Sequence, residues 1–237
     1  MFFNGYYYGY YYDGTYILVL IGAILTLIAS AMVNSTFNKY NKVRSASGLT
    51  GCEAAEKILY ANGIYDVRVE SISGNLTDHY DPKNKVLRLS ESTYASTSVA
   101  AIGVAAHECG HALQHHDEYA PLKIRTAIVP AANIGSKLGI PIILLGVLLS
   151  YNYTLIQIGI WVFSLAVAFQ LVTLPVEFNA SSRAIGMVDR LGILGMQETA
   201  MTKKVLRAAA MTYVAAAASS VLQLLRLILL FGRRDRD

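Results

Sequence analysis

Two histidines and a glutamate fall within five residues in the stretch Ala100 to His116, A-A-I-G-V-A-A-H-E-C-G-H-A-L-Q-H-H. They form His107-Glu108-Cys109-Gly110-His111, an H-E-x-x-H. On a helix, residues four apart share a face, with Cβ atoms roughly 5–6 Å apart. Two imidazoles at that spacing can bind one tetrahedral ion. Glu108 projects beside them, placed to take a proton from water at that ion. Zn²⁺ is the expected ion, because imidazole and carboxylate ligands with an open fourth position suit catalytic zinc. The blander alternative is two structural histidines on a packed helix. The Ala-rich helical context, broken only by Gly110, favours the metal. Gly103 and Gly110 each cost a helix about 1 kcal/mol relative to Ala, which is easier to understand if something approaches the backbone closely.

A catalytic zinc site needs a third protein ligand. The extended metzincin pattern would place Gly at 114 and His at 117, where this chain has Gln114 and Asp117. The third ligand is therefore expected from elsewhere. Glu177 is the leading candidate. It follows Pro175 at the end of an apolar run, where a lone carboxylate is expensive. Two membrane crossings between His111 and Glu177 return the chain to the same side. His115, His116, Asp117 and Asp189 are the other candidates. His115 is four residues beyond His111, but three histidines at straight helical spacing cannot all converge on one tetrahedral ion. His79, Tyr80, Arg183 and Tyr213 are candidate donors to a developing oxyanion.

The elements that must position these residues are those of a membrane protein. Hydrophobic residues make up 54% and charged residues 15% of the 237, whereas soluble domains carry about 25% charged residues. The net charge is +4, and the basic residues cluster beside apolar runs, which speaks for topology and against nucleic-acid binding. Cys52 and Cys109 suggest no disulfide framework. Residues 1–16 are Tyr/Gly-rich without a cation, so they do not resemble a signal peptide and suit an interfacial aromatic belt. Ile17 to Val33 is apolar, and with Tyr16 reaches roughly 27 Å as a helix, enough to span a bilayer core. Lys39, Lys42 and Arg44 follow it. The positive-inside rule then places the N-terminus outside and residue 40 onward in the cytoplasm.

Residues 45–99 read as a soluble segment. Ser47 to Asn62 is amphipathic, with Thr50 and Glu53 as a capping box and Asn62-Gly63 as the stop. Val67 to Glu70 and Val86 to Ser90 alternate as strands, with a turn-rich loop from Gly74 to Lys85. Ser98 to Gln114 is the motif helix, and Val86 to Ser90 just before it is expected as a sheet edge for an extended substrate. Two membrane helices follow, ending near Leu149 and Pro175 and joined by Tyr151-Asn152-Tyr153-Thr154. Val176 to Arg190 reads as a polar-studded helical stretch at the inner mouth, and Gln197 to Arg207 as amphipathic and basic. Met211 to Phe231 is a last apolar run. If it spans, Arg226 lies near one end and could snorkel, and Arg233 to Asp237 would lie outside, against the charge rule.

The chain resembles the membrane-bound neutral zinc metallopeptidases of the YugP type. The residues that carry the resemblance are S-G-L-T-G-C-E-A-A (47–55), G-N-L-T-D-H-Y-D-P (74–82), the motif stretch (100–115), Y-A-P-L-K-I-R (119–125) and L-P-V-E-F-N-A-S-S-R-A (174–184). The last is also similar to the E-x-x-A-D of membrane gluzincins, in which the Glu binds zinc and the Asp orients a histidine. Glu177 and Ala180 match, and Ser181 stands where Asp is expected; Asn179 or Asp189 could substitute. The resemblance implies a membrane-embedded zinc endopeptidase.

The expected fold is therefore mainly α: a zincin-like α+β catalytic core with a small sheet and the HExxH helix, plus three to four transmembrane helices. Residues 1–36 hold the tail and first membrane helix, 37–127 the cytoplasmic zincin-like segment, and 128–237 the membrane helices with the third ligand. The expected site is Zn²⁺ on His107, His111 and Glu177 with Glu108 as general base. The expected partners are the bilayer and a peptide or protein substrate, membrane proteins included, and no nucleic acid. A metal-stabilised membrane scaffold without catalysis is the alternative.

Overall fold

The computed structural model describes residues 13–232; most of the Tyr/Gly-rich stretch, with its expectation of an interfacial belt, and the Arg233–Asp237 tail lie outside them. The described residues form seven helices and a three-stranded sheet: α1 (Tyr16–Tyr40), α2 (Gly51–Ala61), β1 (Arg68–Ile72), β2 (His79–Asp81), β3 (Val86–Ser90), α3 (Glu91–Tyr94), α4 (Val99–His116), α5 (Ala120–Leu148), α6 (Tyr153–Arg190) and α7 (Met196–Phe231). Helices α1, α5, α6 and α7 are each long and apolar enough to cross a membrane. Their outer surfaces stay apolar: Leu27, Leu148 and Trp161 are 69%, 81% and 73% exposed. Contiguous apolar surface on this scale belongs against lipid. The protein is a mainly α, multi-pass membrane protein.

Two helices run on through expected breaks. Pro175 lies inside α6, joining the two stretches expected on either side of it. An interior proline removes one hydrogen bond and crowds the preceding turn. Here α6 packs against α4, α5 and α7 along its length, and that packing outweighs the local cost. Likewise the basic stretch and the last apolar run form one helix, α7. Its direction follows from its contacts with α1. Arg226 pairs with Asp13 at 3.0 Å and lies over the Tyr16 ring at 4.1 Å. The end of α7 therefore sits beside the start of α1, so the two are antiparallel. Arg226 is held by an ion pair instead of snorkelling.

At the other end of these helices sits the small α+β layer. Thr50 caps α2 and Glu53 returns the bond, completing the capping box. In the sheet, β3 is central, parallel to β1 and antiparallel to β2. This corrects the expectation that Val86–Ser90 forms the edge. Its burial explains the placement: Val86, Leu87, Leu89 and Ser90 are all buried, so both faces are covered as in an interior strand. The edge facing α4 is β2, three residues inside the stretch read as a loop. It is too short and polar to show alternation.

The motif helix α4 is the most enclosed of the helices. Ser98 caps it by accepting from the Ala101 amide at 3.1 Å, and donates to Asn41 at 2.6 Å. The helix start is thereby tied to the end of α1. Ala105, Ala106, Cys109 and Ala112 pack in one core with Ala54, Ala55 and Ile58 of α2, Leu87 and Leu89 of β3, Ala184 and Val188 of α6, and Leu206 of α7. Cys109 is buried and unpaired, and Cys52 is also a free thiol. The two glycines meet neighbours as their cost suggested. A Cβ on Gly103 would lie 2.8 Å from a Thr202 methyl, and one on Gly110 2.5 Å from the Ala180 carbonyl oxygen.

Candidate metal centre

Helix α4 presents His107 and His111 one turn apart, with ring centroids 4.8 Å apart and planes near perpendicular. Helix α6 brings Glu177 to them. The Gly110–Ala180 approach makes this possible, because Ala180 lies one turn from Glu177 on the facing helix and any side chain at 110 would push the two helices apart. Glu177 is 2% exposed. Its Oε2 lies 3.3 Å from His107 Nε2 and 3.5 Å from His111 Nε2, and one ligand atom from each of the three residues falls within 4.8 Å of the others.

The donor set fits zinc on geometry. Zinc–ligand bonds of about 2.0–2.1 Å at tetrahedral angles put ligand atoms roughly 3.3–3.4 Å apart. The two separations from Glu177 bracket that value. Moreover, Glu177 Oε2 is buried without a hydrogen-bond partner. A carboxylate oxygen in that position is costly unless it meets a cation.

Each histidine is held through its other ring nitrogen, the arrangement typical of metal-ligating imidazoles. Ser181 Oγ lies 3.2 Å from His107 Nδ1. The serine at the position expected for Asp therefore makes the orienting contact itself. Gln114 Oε1 lies 3.0 Å from His111 Nδ1. Gln114 is fully buried, and its amide donates to the Val176 carbonyl at 2.7 Å and Asn179 Oδ1 at 3.0 Å. Asn179 thus acts one step further out, through Gln114, and Asp189 is on the exposed end of α6. Gln114 was visible only as a departure from the metzincin pattern. Its role needed the approach of α6.

A cavity of about 800 Å³ opens on this site, lined by His79, Tyr80, Glu108, His111, Arg125, Glu177 and Tyr213 among others. Glu108 is 8% exposed and faces this space. Of the expected oxyanion donors, Tyr213, Tyr80 and His79 line the cavity. Arg183 does not. It pairs with Asp117, donates to Asn179 at 2.9 Å and lies over the Tyr119 ring. The Arg183 guanidinium holds the Asp117 carboxyl below its ordinary range. His115 accepts or donates at 3.0 Å with the Tyr80 hydroxyl, and His116 pairs with Asp117; neither joins the metal group. Burial pushes the Tyr80 phenol up to about 12, so it stays protonated at neutral pH. Arg125, absent from the expected set, lies 3.9 Å from Glu177 Oε1, with its buried Nε unpartnered. Its only trace in the sequence is its place in the Tyr119 to Arg125 segment.

The profile of the family described as "Putative neutral zinc metallopeptidase" matches residues 15–232. The chain belongs to this family. It is also 49% identical over 224 residues to "Putative membrane protease YugP" of Bacillus subtilis (strain 168), covering 94% of this chain and 99% of that protein. No solved structure matches the chain. Family membership agrees with the resemblance read from the motifs and supports zinc as the ion for the His107, His111 and Glu177 group. Within that setting, Ser181→Ala is expected to weaken zinc binding by about 10–100-fold while leaving the fold intact. Competition against a fluorescent chelator reads this, and unchanged affinity would show that the Ser181–His107 contact does not orient the ligand.

Proposed function

We propose that the protein is a membrane-embedded zinc endopeptidase that hydrolyses peptide bonds with Glu108 as general base. The observation that carries this reading is the convergence of a buried, unpartnered carboxylate oxygen on two imidazoles, with Glu108 opening on the same cavity. His107, His111 and Glu177 would hold the ion. Zinc, when bound, supplies Lewis acidity that acidifies water and polarises a carbonyl. Glu108 takes the proton from the attacking water and returns it to the leaving amine. Tyr213 and Arg125 line the cavity as hydrogen-bond donors for charge developing on the carbonyl oxygen. The strand β2 pairs only with β3 among the described residues, and His79 and Tyr80 line the cavity. An extended substrate segment adding to that edge would lie across the site.

The site faces the cytoplasm in this reading. Lys39, Lys42, Arg44, Lys203, Lys204 and Arg207 all belong to the end of the molecule that carries the α+β layer, as the positive-inside rule requires. Single cysteines at Lys42 and Tyr151, in a chain with its two native cysteines replaced by serine, test this in intact cells. A membrane-impermeant maleimide is expected to label position 151 and spare position 42; the reverse pattern would invert the topology.

For the activity, cleavage of casein by the purified chain is expected to disappear with 1,10-phenanthroline and return with added Zn²⁺. A scaffold would show no cleavage in either state. Cleavage that survives complete zinc removal would overturn the metallopeptidase reading.

A further inference from the structure

A second cavity, of about 940 Å³, lies between α1, α6 and α7 and shares no lining residue with the first. Its size is within the range of about 300–1,000 Å³ usual for small-molecule sites. Its polarity is graded along the helices. One end carries Lys39 from the last turn of α1 and Lys203, Lys204 and Arg207 from the N-terminal third of α7. Lys203 and Lys204 share a helix face with Arg207, at spacings of four and three. None of the four cations makes an ion pair among the described residues, and no acidic side chain lines the cavity. The other end is apolar, floored by Met32, Phe178 and Met211, which are 36%, 48% and 43% exposed.

The level of this change matters. Arg207 is the last charged residue of α7 before its apolar run, and Lys39 follows the apolar run of α1. The four cations therefore sit where the apolar surface of the membrane helices begins, and Met32, Phe178 and Met211 lie deeper. Unpaired like charges at a bilayer boundary attract anionic headgroups, and basic pockets between membrane helices favour them over zwitterionic ones. An acidic peptide would match the cations but not the apolar floor at bilayer depth.

We infer that this groove seats one anionic phospholipid, its phosphate among Lys39, Lys203, Lys204 and Arg207 and an acyl chain along Met32, Phe178 and Met211. The inference rests on the membrane placement of α1, α6 and α7 and not on the peptidase reading. The seat also backs onto the metal centre, because Ser181 both lines the groove and contacts His107.

Native mass spectrometry of the full chain in detergent, given equal amounts of dioleoylphosphatidylglycerol and dioleoylphosphatidylcholine, tests it. The chain is expected to retain one phosphatidylglycerol, favoured by about tenfold or more. The K203Q/K204Q/R207Q variant changes only exposed side chains and is expected to lose that preference. M211W, which fills the apolar end and keeps every charge, is expected to retain less lipid of either kind. Circular dichroism and elution volume verify that both variants fold. Equal retention of the two lipids by the unmodified chain, unchanged retention in either folded variant, or co-purifying acidic peptides in place of lipid would overturn the inference.

Discussion

Glu108→Gln is expected to slow casein cleavage by at least about a hundredfold while leaving the protein folded and zinc-loaded. The amide matches the carboxylate in shape, so α4, whose core contacts run through Ala105, Ala106, Cys109 and Ala112, is undisturbed. What is lost is the ability to accept a proton. General acid–base groups contribute about 10²–10⁴-fold to rate, and turnover should fall by that factor with little change in KM. Zinc stoichiometry by inductively coupled plasma mass spectrometry should stay at the unmodified value, because Glu108 is not among the three converging ligands. A variant that cleaves at the original rate would remove Glu108 from the reaction. One that loses zinc would recast it as part of the binding set.

Glu177→Ala is expected to have the largest effect on the metal. Losing an outer partner of a ligating histidine costs about 10–100-fold in affinity; losing a direct ligand should cost more than about a hundredfold. The substitution also strips His107 and His111 of the carboxylate 3.3 and 3.5 Å away and leaves Arg125 facing an empty corner of the cavity. Glu177→Gln serves as the companion variant, since it keeps the volume and so separates lost ligation from lost packing. Both should fail to retain zinc through gel filtration, and both should lose activity together with it. Zinc affinity unchanged in both would exclude Glu177 as the third ligand and assign that place to another residue.

Much of the local structure was legible because it rests on short-range rules. The Thr50–Glu53 capping box, the Ser98 start of α4, the Val86–Ser90 strand and the apolar runs depend on residues within a few positions of one another. Two expected breaks share a cause. Pro175 reads as a stop, and the polar change at Met211 reads as a break, only while each helix is considered alone; α6 and α7 continue because neighbouring helices support them. The β2 strand leaves no pattern in the sequence because three residues, His79 to Asp81, cannot display a period. The edge assigned to β3 failed because a strand's place in a sheet depends on what pairs with it.

The metal centre divides the same way. The His107–His111 spacing, the adjacent Glu108 and the membrane setting are legible in the residue order, because helical geometry and hydropathy are properties of the chain. The residue order also points to Glu177 through the cost of a carboxylate beside an apolar run. How close that carboxylate comes depends on helix packing. The Gly110–Ala180 contact sets the distance between α4 and α6, and so whether three ligand atoms can share one ion. The same approach assigned Ser181 to His107 and Gln114 to His111, and brought Arg125 to the cavity. These pairings join residues far apart in the chain, and the packing of two helices, not any local pattern, determines which of them meet.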